Sequence, residues 1–163
     1  MAMTQAELDV LLMRKSKAGD LAGVREAIAA GANLEASGVR GMRALHHAAR
    51  EGHFAIAAYL LLKGARVDCR DADGEQPLHH AVRNFDVPMA AFLLENGADP
   101  AAEIDDGETP LDLAQGHRKV CALLAKWDDP EFRKMRRQAS AAETIAAHWK
   151  NIAGRLPQPG PRI

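Results

Sequence analysis

A chain of 163 residues, 47% apolar and 26% charged, has the size and composition of one globular domain able to bury a sizeable core. Aromatic residues make up only 4%, and the apolar set is largely Ala and Leu, which favours close helix packing over a β-sandwich. The net charge of −1 argues against a strongly basic nucleic-acid binder, yet it is unevenly spread: residues 1–125 carry 13 Lys and Arg against 18 Asp and Glu, a net of −5, and residues 126–163 carry 8 against 4, a net of +4.

From the N-terminus, MAMTQAELDV has no basic flank leading into an apolar stretch, and no run of about 18 apolar residues occurs anywhere. Neither a secretory signal nor a membrane span is expected, and the cytoplasm is the expected location. A first unit over about 6–37 is marked by Gly19-Asp20-Leu21, Val24, Ile28 and Gly31-Ala32. The second, 38–70, is the fullest: Gly41 opens a turn, 44–51 form a helix that Gly52 ends, and 54–63 form the next, stopped by Gly64. Ile56, Leu60 and Leu61 give that outer helix a narrow apolar stripe that only a neighbouring unit can cover. Cys69, in the following turn, is expected to be exposed. The third unit, 71–103, repeats the pattern, with Phe85 where the second unit has Gly52. Asn84 before it is expected to take the left-handed conformation, and Phe85 either tucks against the neighbouring unit or stands out as a contact. The fourth, 104–125, is shortened: Leu111 to His117 spans 6 residues where Leu45 to His53 spans 8. Cys121 lies in its apolar run and reads as core. Two cysteines without CxxC spacing do not make a disulfide framework.

Beyond the repeats, Asp129-Pro130-Glu131 has the chemistry of a helix start. Phe132, Met135, Ala139, Ala142, Ala146, Trp149, Ala153 and Leu156 follow at intervals of three and four, an amphipathic face. One helix over this stretch, or two breaking near Ser140, would form a C-terminal helical extension at 126–156 that caps the last repeat. Arg133, Lys134, Arg136 and Arg137 are then its solvated side, and the proline-rich 157–163 a loose tail.

The repeat period is exact at two markers. Leu45, Leu78 and Leu111 lie 33 residues apart, as do the Gly-Ala pairs at 31, 64 and 97. The motifs Leu45-His46-His47-Ala48-Ala49, Gly52-His53, Leu60-Leu61-(x)2-Gly64-Ala65 and Thr109-Pro110-Leu111 resemble the ankyrin repeat family over about residues 6–125. The resemblance implies an all-α solenoid of helix-turn-helix units with β-turn fingers. It also implies that His46, His79 and His53 bond to turns and backbone, stitching one repeat to the next, so no metal is expected from the histidine-rich stretch ALHHAAREGH. His47 and His80 occupy a variable position that the family turns toward its concave face.

No nucleophile with a base, metal set or phosphate-cradling loop is found, so a non-enzyme without cofactors is expected, binding another protein as a monomer. The candidate contacts on the turns are Arg40, Met42, Arg43, Asp73, Glu75, Gln76, Asp105, Asp106 and Glu108; on the inner helices they are His47, Arg50, Glu51, His80, Arg83 and Asn84. Arg43 and Gln76 replace the family's turn threonine, either by drift or, for Arg43 together with Arg40, to place a forked donor pair beside the groove for a partner's carboxylates. The alternative is nucleic-acid binding through the basic C-terminal segment.

Overall fold

A computed structural model describes residues 3–131. These form eight α-helices: α1 Gln5–Ala18, α2 Leu21–Ala29, α3 Ala44–Arg50, α4 Phe54–Leu62, α5 Pro77–Arg83, α6 Val87–Glu95, α7 Pro110–Leu113 and α8 Arg118–Asp128. There is no strand among the described residues, and no helix long and apolar enough to cross a membrane. The residues of the expected C-terminal face from Phe132 onward lie outside the described residues. Pro130 and Glu131 are helical, and the Asp129 carboxylate accepts from the Glu131 amide at 2.9 Å, as the capping chemistry there predicts.

Helices α1, α3, α5 and α7 form an inner row, each packed on the next, and α2, α4, α6 and α8 lie behind their partners as an outer row. Ala48, Ala49 and Ala81 are fully buried, and such small residues let helices approach closely. Leu12, Val24, Leu45, Ile56, Leu60, Leu78, Met89, Leu93 and Leu124 fill the space between rows. This continuous core runs through all four units, so no unit buries its apolar stripe alone.

The ends of the outer helices show how a sequence period becomes a structural one. Ala32, Ala65 and Ala98 each donate an amide, at 3.0 Å, to the carbonyls of Ala27, Leu60 and Leu93. The preceding Gly31, Gly64 and Gly97 have φ of 96 to 100°, left-handed values that glycine reaches without a Cβ clash. Between helices of one unit the left-handed residue is Gly52 in the second and Phe85, with φ 54°, in the third. Asn84 is at φ −87° and ψ 1°, so the expectation that it would substitute for glycine is corrected. Position explains why: Phe85, like Gly52, immediately precedes the N-cap residue of the outer helix, and the chain must reverse there whatever residue occupies it. The ring of Phe85 stacks on His117 of the next unit, centroids 4.6 Å apart, while 40% of the residue stays exposed. In the shortened fourth unit α7 has four residues where α3 and α5 have seven.

Three fingers project from the inner row. Each is a tight turn closed by equivalent bonds: Gly38, Asp71 and Ile104 donate to the carbonyls of Met42, Glu75 and Glu108 at 2.9 to 3.0 Å. Adjacent fingers also pair, Ala72 donating to Arg40 and Asp105 to Asp73.

Candidate binding cleft

The histidines of ALHHAAREGH and its later copy join the fingers to the helices. The Arg43 amide donates to His46 Nδ1 at 3.1 Å, which leaves the proton on Nε2, and Nε2 donates to the Glu75 carbonyl of the next finger at 3.1 Å. One unit on, the Gln76 amide donates to His79 Nδ1 and His79 Nε2 to the Ala102 carbonyl, both at 2.9 Å. His53 reaches the other way, to the Lys17 carbonyl. Burial, followed by the neighbouring His80, pushes the pKa of His46 down to about 4, and burial lowers His79 as well. All three therefore stitch repeats together, as the resemblance implies.

Cys69 is buried, at 4% exposure, against the ring of His46, which corrects the expectation that it is exposed. Its Sγ lies 3.8 Å from His46 Nδ1, so packing against that ring sets its burial. Burial, with Glu35 adding to it, pushes its thiol up to about 12, far from a nucleophile's range.

Between the fingers and the inner helices lies a cleft of about 460 Å³. Nine of the fifteen residues expected to form contacts line it: Arg40, Met42, Arg50, Asp73, Glu75, His80, Arg83, Asn84 and Asp106. Its floor is a buried polar network. His80 Nε2 lies 2.9 Å from Asp71 and 3.6 Å from Glu75, and Arg83 Nε donates to Glu75 at 2.7 Å. Burial alone would raise the pKa of Asp71. The bonds from His80 and from the amides of Asp73 and Glu75 outweigh it and hold Asp71 below its usual value. Met42, Glu75 and His80 thus belong to the framework of the cleft and present little surface. The accessible wall comprises Arg50, Arg83, Asn84, Asp73 and Asp106, with Arg40 paired across fingers to Asp73.

The other six candidates stand outside the cleft lining. Arg43 is a strap between fingers: its guanidinium donates to the Glu35 carbonyl at 3.0 Å and the Arg70 carbonyl at 2.8 Å, and lies 3.3 Å from the Glu35 carboxylate. Its fork is engaged within the fold, which corrects the reading of Arg43 as a donor held free for a partner. Gln76 is buried at the start of α5. His47 is half-buried on α3, and Glu51 is exposed at its end. Asp105 and Glu108 are exposed on the third finger.

Two lining residues escaped the sequence reading, Asp71 and Ile104. They share one repeat position with Gly38, and with Gly, Asp and Ile there no periodic signal marks it. The repeat also brings together what the sequence kept apart: ligand-type atoms of His46, Asp71 and His80 lie within 4.8 Å of one another. A cation there would have to displace a backbone bond of His46, because both ring nitrogens are engaged.

No match was found among curated proteins. A family model described as ankyrin repeats, three copies, matches residues 12–104, more than half of the chain. With paired helices, fingers and histidine bonds recurring at 33 residues across that span, the chain belongs to the ankyrin repeat family, whose repeats are in general protein–protein interaction modules.

Proposed function

We propose that the protein is a non-catalytic recognition module that binds a partner protein, as a monomer, through the cleft between its fingers and inner helices. The observation that carries this reading is the buried network beneath the cleft. Asp71, Glu75 and His80 fix one another, the Arg83 guanidinium and the finger backbone at Asp73, so this part of the wall is held in place before any partner arrives. Binding to a pre-organised wall loses little side-chain entropy. Contact is assigned to Arg50, Arg83, Asn84, Asp73 and Asp106, extended by Asp105 and Glu108 on the third finger. The wall changes from cationic at Arg40 and Arg50 to anionic at Asp105, Asp106 and Glu108, so a partner with the reversed gradient docks in one orientation.

The test is affinity capture from the native source with the wild type and an Arg50→Glu, Asp106→Lys double variant, both positions being exposed. One captured protein should be lost while the circular dichroism spectrum and melt are unchanged. Capture that survives the double variant but disappears on nuclease treatment would instead favour the basic segment and nucleic acid.

A further inference from the structure

Leu45, Leu78 and Leu111 occupy one position of the repeat, yet the first two are 1% and 0% exposed and the third is 48% exposed. The difference comes from position in the array, since α3 is covered by α5 and α5 by α7, while no described helix follows α7 in the inner row. The outer row shows the same ending: Leu94 of α6 is fully buried, whereas Ala125 of α8 is exposed. Around Leu111 the last unit forms a groove of about 390 Å³, walled by Leu111, Leu124, Pro100 and Ala101 and closed at one end by Asp128, Asp129 and Pro130.

We propose that this groove is the docking site of the chain's own residues 132–156. The chain runs along the groove before it reaches that segment, because Asp128, Asp129 and Pro130 are part of the wall. Phe132 follows the wall residue Pro130 by only two residues, a reach of up to about 7 Å, so the segment begins beside the groove. The segment's apolar residues recur at helical intervals, the pattern suited to an apolar groove. Charge agrees: residues 1–125 carry a net of −5, with Asp112 exposed beside Leu111, and the segment opens with Arg133, Lys134, Arg136 and Arg137. A tethered occupant acts at an effective concentration of about millimolar, which favours it over a second molecule. The proposal is independent of the concave cleft, with which the groove shares no lining residue.

Hydrogen exchange read by mass spectrometry on the full chain tests it, with Leu111→Lys and Phe132→Asp as variants. In the wild type, peptides from 132–156 should exchange at least about tenfold more slowly than an unstructured chain. Both variants should abolish that protection and leave α3 to α6 protected. Should Leu111→Lys also open α3 to α6, Phe132→Asp, which lies outside the repeats, decides the matter. Free exchange of 132–156 in the wild type overturns the proposal, as does protection that neither variant reduces. Protection lost on dilution assigns the groove to a second copy and also overturns it.

Discussion

Burial, followed by the neighbouring His80, holds His46 neutral against the opposing pull of its bond to the Glu75 carbonyl, and this makes stability depend on pH. Its folded pKa is about 4 against an ordinary 6.5, so the unfolded chain takes up the proton first as the medium acidifies. Its contribution is complete above about pH 6.5, is lost as the pH falls toward 4, and amounts to about 3 kcal/mol in full. His47 and His79, also lowered by burial, act in the same direction. Asp71, held below its usual value, stabilises the fold at neutral pH, and that contribution is lost only in solution more acidic than the ordinary carboxylate range. Thermal midpoints should therefore drop between pH 7 and pH 5. Nitrogen-detected NMR should find His46 still neutral at pH 5.5 with its proton on Nε2; titration near 6.5 would contradict the buried bonding. A second residue-scale contest is at Phe85. A side chain at φ 54° costs about 1–2 kcal/mol, and stacking on His117 returns about 0.5–1.5 kcal/mol. Phe85→Gly should then change stability by less than about 1 kcal/mol, because strain and stack are lost together. Phe85→Val keeps the strain, adds β-branching and loses the ring, so it should destabilise by about 2 kcal/mol. Urea denaturation ranks the two.

At the scale of the finger, Arg40 and Arg43 look alike in sequence and differ in structure. Arg43 joins the Glu35 carbonyl through a partly buried charge-assisted bond and the Arg70 carbonyl through an exposed one, whereas Arg40 meets Asp73 in an exposed ion pair. Arg43→Ala should cost about 1–3 kcal/mol, and Arg40→Ala less than about 1 kcal/mol. A shift in denaturation midpoint as large for Arg40→Ala as for Arg43→Ala would show that the strap carries no special weight. The contrast marks where the sequence was legible. The helices, their glycine stops and the framework histidines could be read because each recurs at 33 residues, and recurrence reports geometry imposed on every unit. Arg43's partners could not, since Glu35 and Arg70 lie 8 and 27 residues away and belong to no repeated motif. Asp71 was missed for the same reason. Cys69 was misread because a turn position suggested solvent, while packing against His46 decided its burial. The cleft was legible as a row of positions; which of them line it as surface and which as floor is set by cross-finger bonding that one chain's letters do not encode.

Across the whole molecule, stability is the sum of weak units and the interfaces between them, so the ends of the array should open before its middle. The two described ends are built differently. At the N-terminal end, α1 has 14 residues, a Thr4–Glu7 capping box and a left-handed Gly19 closing it, so its first and last turns are both satisfied. At the other end α7 has four residues, Gln115 and Gly116 are both left-handed after it, and Leu111 is half-exposed. A four-residue helix has barely completed one turn and gains little from cooperative elongation. Even with 132–156 docked in the groove, the fourth unit keeps the shorter inner helix. Native-state hydrogen exchange should therefore show a polar gradient. Amides of α3 to α6 should open only with global unfolding, α1 and α2 next, and α7 with the start of α8 first. Leu60→Asp, which places a charge at a fully buried position between rows, should abolish the gradient by unfolding the array as a whole, whereas Asp106→Ala on a finger should leave it intact. If α1 and α2 exchange before α7, the short fourth unit is stiffer than its helix length implies and the assignment of weakness to that end is wrong.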